Sequence, residues 1–281
     1  MSEAAPLTAA EAVRLARAAL EGGEPMASVT VIDVRGEAPG AASAPGARMA
    51  VWRDRTRGTL GDPALDQAAA AFAREALAAG TRVLTREVEA GGATAVLYAE
   101  PHRAPPELVI VGAGHIARPL CRVGALLGFR VTVLDDRPEF ATRERFPEAA
   151  EVRRADFSAP LREVAMGPRT HLVLVTRGHK YDFEALRDVL RRPELPAYVG
   201  MVGSRRRTRA ALEQLVAEGI DAERIAALRA PVGLDVRAET PEEIAVAIAA
   251  ELVLLRRGGT GRPLRETERV FERWVERRGS A

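Results

Sequence analysis

Glu107-Leu-Val-Ile-Val-Gly112-Ala-Gly114-His115-Ile-Ala117, followed by Val131-Thr-Val-Leu-Asp135-Asp136, is the stretch that decides the fold. A short apolar run ends in a Gly-x-Gly turn, an amphipathic helix follows, and a second apolar run ends in paired acids. This is the first βαβ unit of a dinucleotide-type fold. Gly112 permits the tight turn, and Gly114 lets backbone N–H groups approach an anionic phosphate at the helix N-terminus. Asp135 lies 21 residues after Gly114, where an acid that binds a ribose hydroxyl is expected. Ala117 stands at the third glycine of the fingerprint, an accepted variant. Strands on both sides and a spaced acid make the turn a mark of fold. They do not by themselves define a reaction.

Outward from this unit, the pattern alternates regularly between strand and helix. Strands are expected at Leu108–Val111, Arg130–Leu134, Glu151–Arg153, His171–Thr176, Ala197–Val202 and Ile225–Leu228. Helices are expected at His115–Leu127, Ala159–Met166, Asp182–Leu190, from Ser204 to Ala217 and from Thr240 to Arg256. Such alternation implies parallel strands with helices on both faces. Upstream, a helix opens at Thr8, strands fall at 27–34, 47–52 and 57–60, a helix starts at Pro63, and a hairpin turns around Gly91-Gly92. The fold class is therefore α/β: a C-terminal Rossmann-like doubly wound parallel sheet with a smaller N-terminal α/β domain. The expected boundaries are 1–100 for the first domain, 101–106 for a Pro-rich linker, 107–258 for the Rossmann-like domain, and 259–281 for a charged tail with helical potential at Val270, Phe271, Trp274 and Val275.

Composition narrows the function classes. A chain of 281 residues that is 47% hydrophobic and 28% charged is long enough for two cored domains. Net charge is only +2 and aromatics are 4%, so neither a basic field nor stacking platforms point to nucleic acid. One cysteine, Cys121, excludes an internal disulfide framework and a multi-cysteine zinc site. No apolar run approaches the roughly 20 residues that span a bilayer, so no membrane partner is expected. Met1-Ser-Glu-Ala-Ala-Pro shows no secretory signal, and the cytoplasm is the expected compartment. Lysine occurs once, at Lys180.

In an open parallel sheet ligands lie beyond the carboxyl ends of the strands, and three strand ends carry unusual residues. The first is Gly112-Ala-Gly114-His115, where His115 either donates to a phosphate or faces solvent. The second is Thr176-Arg177-Gly178-His179-Lys180-Tyr181-Asp182. There His179 is either an acid/base or ligand residue or a loop histidine, and Asp182 is a natural N-cap. The third is Gly203-Ser204-Arg205-Arg206-Arg207. Cations in a first helical turn oppose the macrodipole by roughly 0.3–1 kcal/mol each. Three together point to an anion held by Ser204, helix N–H groups and Arg205, against the alternative that they are solvated or paired with acids elsewhere. Cys121 belongs to an apolar helix face and reads as core. Thr240-Pro-Glu242-Glu243 reads as a capping box, and Pro231-Val-Gly233-Leu-Asp235 as a loop near the crevice. No catalytic constellation and no metal-ligand cluster emerges. Gly112, Gly114, His115, Asp135, Thr176, Gly178, His179, Gly203, Ser204 and Arg205 are the candidate cofactor-binding residues.

The ordered motifs GAGHIA, LGFRVTVLDDR, TRGHKYD, YVGMVGSRRR, APVGLDV and TPEEIAVAIAAEL, together with Ala44-Pro-Gly46-Ala-Arg48-Met49 and Gly58-Thr-Leu-Gly61, resemble the XdhC/CoxI family. These are accessory proteins for the maturation of xanthine dehydrogenase and related molybdenum hydroxylases. The resemblance implies a cofactor-binding chaperone rather than an enzyme. Its ligand would be the molybdenum cofactor (molybdopterin), its partners the apo-hydroxylase and a cysteine desulfurase-type sulfur donor, and its assembly a homodimer. The residues alone keep two other readings open. One is an NAD(P)-dependent oxidoreductase, with Asp135 favouring NAD and Arg137 keeping NADP available. The other is a ligand-free scaffold for hydroxylase assembly. One departure stands out: family members commonly continue the Gly-Thr-x-Gly run with Gly-Gly-Cys and an acid, whereas this chain has Asp62-Pro63-Ala64-Leu65-Asp66, with Ala64 near the cysteine position.

Overall fold

The computed structural model describes residues 5–36, 44–79, 84–90, 92–268, 271 and 274. The core of the 36–46 loop, Gly91, Val270 and Val275 fall outside them. The chain divides into two compact units, Met1–Pro105 and Pro106–Ala281.

The first unit contains α1 (Ala9–Leu20), β1 (Met26–Arg35), β2 (Arg48–Val51), β3 (Thr56–Gly58), α2 (Pro63–Ala79), β4 (Leu84–Ala90) and β5 (Ala93–His102). Its five strands run in the order β3-β2-β1-β5-β4, all neighbours antiparallel. Alternation along β1 divides the core. Ala27, Val29 and Val31 pack with Leu65, Ala69 and Phe72 of α2, while Met26 joins Leu7, Ala19 and Trp52 on the α1 side. Thr8 caps α1 in a capping box with Glu11. The linker expected at 101–106 begins too early: Pro101 and His102 pair with Ala27 and Met26, because β5 is long enough to match the whole of β1. On that ladder the Ser28 hydroxyl lies 2.9 Å from His102 Nε2, a pairing invisible in a sequence separation of 74 residues.

In the second unit, β6 (Glu107–Val111), β7 (Arg130–Asp135), β8 (Glu151–Arg154), β9 (Thr170–Leu174), β10 (Tyr198–Met201) and β11 (Leu228–Arg229) form one parallel sheet, ordered β11-β10-β9-β6-β7-β8. Renumbered within the unit and read from the β8 edge, that is the 3-2-1-4-5-6 order of a Rossmann fold, with its switch point between β6 and β9. The central strand is buried on both sides, as its unbroken apolar run requires. Leu108 and Ile110 pack with Leu120 and Cys121 of α3 (Ala117–Leu126) and Ile248 and Leu252 of α7 (Pro241–Arg257). Val109 and Val111 pack with Phe183 and Leu186 of α4 (His179–Arg191) and Leu215 of α5 (Arg205–Ala217). Burial pushes the Cys121 thiol up to about 11, which fits a core residue. No described helix is long and apolar enough to cross a membrane.

Two element expectations fail. Residues 159–166 form a short turn and irregular chain rather than a helix. The Arg192 guanidinium takes the Leu161 and Val164 carbonyls at 2.6 and 2.9 Å, and Arg153 takes that of Glu163 at 3.1 Å. The strand expected at 225–228 starts late: Asp221 caps α6 (Ala222–Ala226), which takes up residues 225 and 226, and only Leu228–Arg229 pair with β10. The tail begins with α8 (Leu264–Glu268), and beyond it Phe271 and Trp274 stack at 6.1 Å.

At the amino end of β9, His171 is buried against Phe129 (5.1 Å, edge-on) and Tyr198, with Nδ1 3.1 Å from the Arg169 carbonyl. Burial holds its pKa below the ordinary histidine value. A depressed folded pKa means that the neutral ring's stabilisation is complete above about pH 6.5 and is lost as pH falls. The unfolding midpoint of the native protein should therefore fall below that pH. The His171→Phe variant should show a shallower slope, by at most about 1.4 kcal/mol per pH unit, read by calorimetry between pH 5 and 8. An unchanged slope would remove His171 from the acid limb.

Candidate functional site: the crevice at the carboxyl ends of the parallel strands

The Gly112–His115 turn leaves β6 beside the end of β9. Gly112 has φ +107°, and a Cβ there would lie 2.6 Å from the Val175 carbonyl oxygen and 3.1 Å from the Thr176 nitrogen. Gly114, by contrast, faces open space, with no protein atom within 4 Å of a Cβ placed on it. The two glycines thus do different work: the first lets two strands approach, and the second keeps the surface of the turn clear. His115 is exposed and precedes α3 rather than opening it. The helix starts at Ala117 after Ile116, with no side-chain cap and no acid in its first turn.

Asp135 does not have the freedom its spacing implied. It is fully buried and accepts from the Ala113 amide (2.7 Å), the Arg137 amide (3.0 Å), Arg137 Nε (2.9 Å) and Arg137 Nη2 (3.0 Å). Four donors fill the acceptor sites of a carboxylate. Burial pushes its pKa up, but the Arg137 and Ala113 hydrogen bonds outweigh that and hold it below the usual carboxylate range. The acid therefore acts as a strut between the turn and the end of β7, with the acceptor sites that a ribose hydroxyl would need taken up inside the chain. The neighbouring acid, Asp136, is paired bidentately with Arg177 at 2.6 and 2.7 Å, and Arg177 also reaches the Tyr181 hydroxyl at 3.2 Å.

The loop after β9 is organised by a buried acid. Asp182 is not the N-cap; Gly178 holds that position and α4 begins at His179. Asp182 lies inside the first turn, fully buried, accepting from the Thr176 hydroxyl at 2.5 Å and ion-paired with Arg207. Arg207 Nη2 donates as well to the Thr176 carbonyl at 3.3 Å. This answers part of the three-arginine puzzle. The innermost cation already has its anion, supplied by the chain, while Arg205 and Arg206 are exposed. Ser204 is the N-cap of α5, accepting from the Arg207 amide at 3.3 Å, and Gly203 sits beside it against the Arg207 stem. Thr176 and Gly178 are joined by a 3.0 Å hydrogen bond. The side chain of His179 lies outside the described residues.

Two elements were poorly placed by sequence alone. The 231–235 loop is tied to the end of β10, with the Val232 amide on the Met201 carbonyl (3.0 Å) and the Gly233 amide on Glu251 Oε2 (2.8 Å). Arg145 was missed altogether. It sits in the irregular stretch after β7, where Nη2 donates to the Ala113 carbonyl at 3.3 Å, and it shares the Phe140 ring with Arg137, at 4.7 and 3.5 Å from the centroid. In the first unit, the segment around Ala64 is closed on itself. Asp66 accepts from the Thr59 hydroxyl and the Leu60 amide, both at 2.6 Å, and Asp62 accepts from the Leu65 amide at 2.8 Å.

Sheet order, switch point and Gly-rich turn define a Rossmann-type domain. Residues 108–252 match the XdhC Rossmann domain, and residues 11–87 match the XdhC and CoxI family. The chain belongs to that family. It is 35% identical over 174 residues to the uncharacterised protein YqeB of Escherichia coli (strain K12), covering 62% of this chain and 31% of that one. It is 33% identical over 152 residues to a probable xanthine dehydrogenase component of Bacillus subtilis (strain 168), covering 54% and 43% respectively. The aligned region thus spans less than half the length of either relative. A solved protein from Bacillus halodurans, described as a xanthine dehydrogenase, shares the fold at TM-score 0.51 and 21% identity over 89% of this chain and 96% of its own.

Proposed function

We propose that this protein is an accessory factor for a molybdenum hydroxylase of the xanthine dehydrogenase type. It binds the molybdenum cofactor at the carboxyl ends of β6, β7, β9 and β10, shelters it while a cysteine desulfurase-type donor installs its terminal sulfur, and passes it to the apo-enzyme. Membership of the XdhC and CoxI family carries this reading. The site's chemistry supports it. Gly114 is open, α3 begins without a protein cap or acid, and a cation lies beside the turn, a donor set suited to a phosphate ester. Molybdopterin carries such a phosphate. When bound, the cofactor supplies the redox centre of the hydroxylase, while this chain's residues bind and screen it. The nicotinamide reading is weakened by Asp135, whose acceptor sites are filled from within the chain.

The test is to purify the full chain from a host that makes molybdenum cofactor and identify the co-purifying small molecule by mass spectrometry. About one pterin per chain is the expected result. Recovery of NAD(P) with no pterin, and no pterin uptake on titration, would sink the proposal.

A further inference from the structure

We infer that Arg145 is the phosphate-binding side chain of this crevice. It would recognise a phosphate ester on an organic ligand, placed over the Gly112–His115 turn. The inference rests on the proposed binding site but names a residue that neither the motif nor the family match marks.

Three observations converge. Arg145 reaches the turn itself, with Nη2 3.3 Å from the Ala113 carbonyl, between the two glycines. It is half-buried, and among the described residues no carboxylate lies within ion-pairing distance of it, although Arg137 on the same ring is neutralised by Asp135, and at the neighbouring strand ends Arg177 is neutralised by Asp136 and Arg207 by Asp182. Next to it the ten-residue helix α3 presents an N-terminus without side-chain cap or acid, the positive end of its dipole. A guanidinium and an uncapped helix end with the same sign of charge repel each other, and a phosphate between them relieves both. Gly114 supplies the room, since nothing stands within 4 Å of its missing side chain.

The geometry also fixes how Arg145 is presented. Arg137 is held by Asp135 through two guanidinium nitrogens, and its guanidinium carbon lies 3.5 Å from the Phe140 centroid. Arg145 rests on the same ring at 4.7 Å. Asp135 thus acts through Arg137 and Phe140 as a positioning residue. The end of β7, which in an NAD-binding site offers an acceptor to a ribose hydroxyl, here offers a donor to an anion.

The experiment measures dissociation constants for the full chain and for its Arg145→Gln and Arg145→Lys variants. The probes are molybdopterin released from a purified molybdenum hydroxylase, the same pterin after phosphatase treatment, NADP+ and NAD+. Loss of a charge-assisted hydrogen bond should weaken phosphorylated pterin about tenfold or more in Arg145→Gln and less in Arg145→Lys. The phosphatase-treated pterin should bind all three proteins alike, and the unliganded melting midpoints should agree within about 2 °C. Equal loss for both pterin forms, or no loss for either, overturns the assignment. If the pterin binds but Arg145 does not matter, this inference fails and the proposed function stands. If NADP+ alone binds, and does so through Arg145, the inference stands and the molybdenum cofactor reading fails.

Discussion

Gly112→Ala should destabilise the second unit by roughly 2–5 kcal/mol, whereas Gly114→Val should leave its unfolding within about 0.5 kcal/mol of the native protein. The contrast follows from what each missing Cβ would meet. At Gly112 the backbone has φ +107°, which costs an L-residue about 1–2 kcal/mol, and the methyl would press on backbone atoms 2.6 to 3.1 Å away in Val175 and Thr176. Those atoms belong to the chain just beyond β9 and cannot swing aside as a side chain can. The strands at the switch point would have to separate, with a loss of about 1–3 kcal/mol more. At Gly114 no such contact exists, so the valine side chain projects into the crevice. Denaturant unfolding reads the first effect, and ligand titration reads the second, which should be a loss of binding in a protein of native stability. A Gly112→Ala protein as stable as the native one would mean that β6 and β9 do not approach as described.

Asp135→Asn should cost about 3 kcal/mol, the lower end for a broken buried ion pair, because Arg137 retains some exposure. The asparagine can still accept from the Ala113 amide, but it leaves the Arg137 guanidinium without its counter-charge. The pH dependence adds a second signature. A carboxyl held below its ordinary value contributes stability that is present above about pH 3.9 and is lost as pH falls toward its folded value. The gap between native and variant melting midpoints should therefore be widest near neutrality and narrow as the medium is made acidic. An acid whose task was to bind a ribose would behave differently: its removal would abolish nucleotide binding and leave the melting curves superimposed.

These two positions mark how far the sequence could be read. The βαβ unit was legible because glycine placement, apolar runs and spacing all follow from local backbone geometry, and the capping box at Thr240 and Glu243 holds as read. Roles were harder to read than places. Asp135 stands where a ribose acid stands, yet an arginine two residues on folds back to fill it, and no spacing rule reports that. Asp182 has the residue type of an N-cap, but helix α4 starts three residues earlier and draws the acid inside, where Arg207 meets it from another helix. Arg145 belongs to no motif and lies in a stretch without periodicity, so only the folded chain brings it to the turn. The failed helix at 159–166 has a similar cause: Arg192, far along the chain, takes carbonyls that a helix would have used.

The Asp136–Arg177 pair has a consequence for how anything enters the crevice. Asp136 follows β7 and Arg177 lies just beyond β9, and these strands flank β6 on opposite sides, about 10 Å apart. The bridge therefore straddles the central strand like a bar across a doorway. An anionic visitor that reaches Arg177 replaces one carboxylate with another negative group, so admission is an exchange of partners with little net change in charge pairing. Added salt would weaken the Asp136 pairing and an anion's hold on Arg177 together.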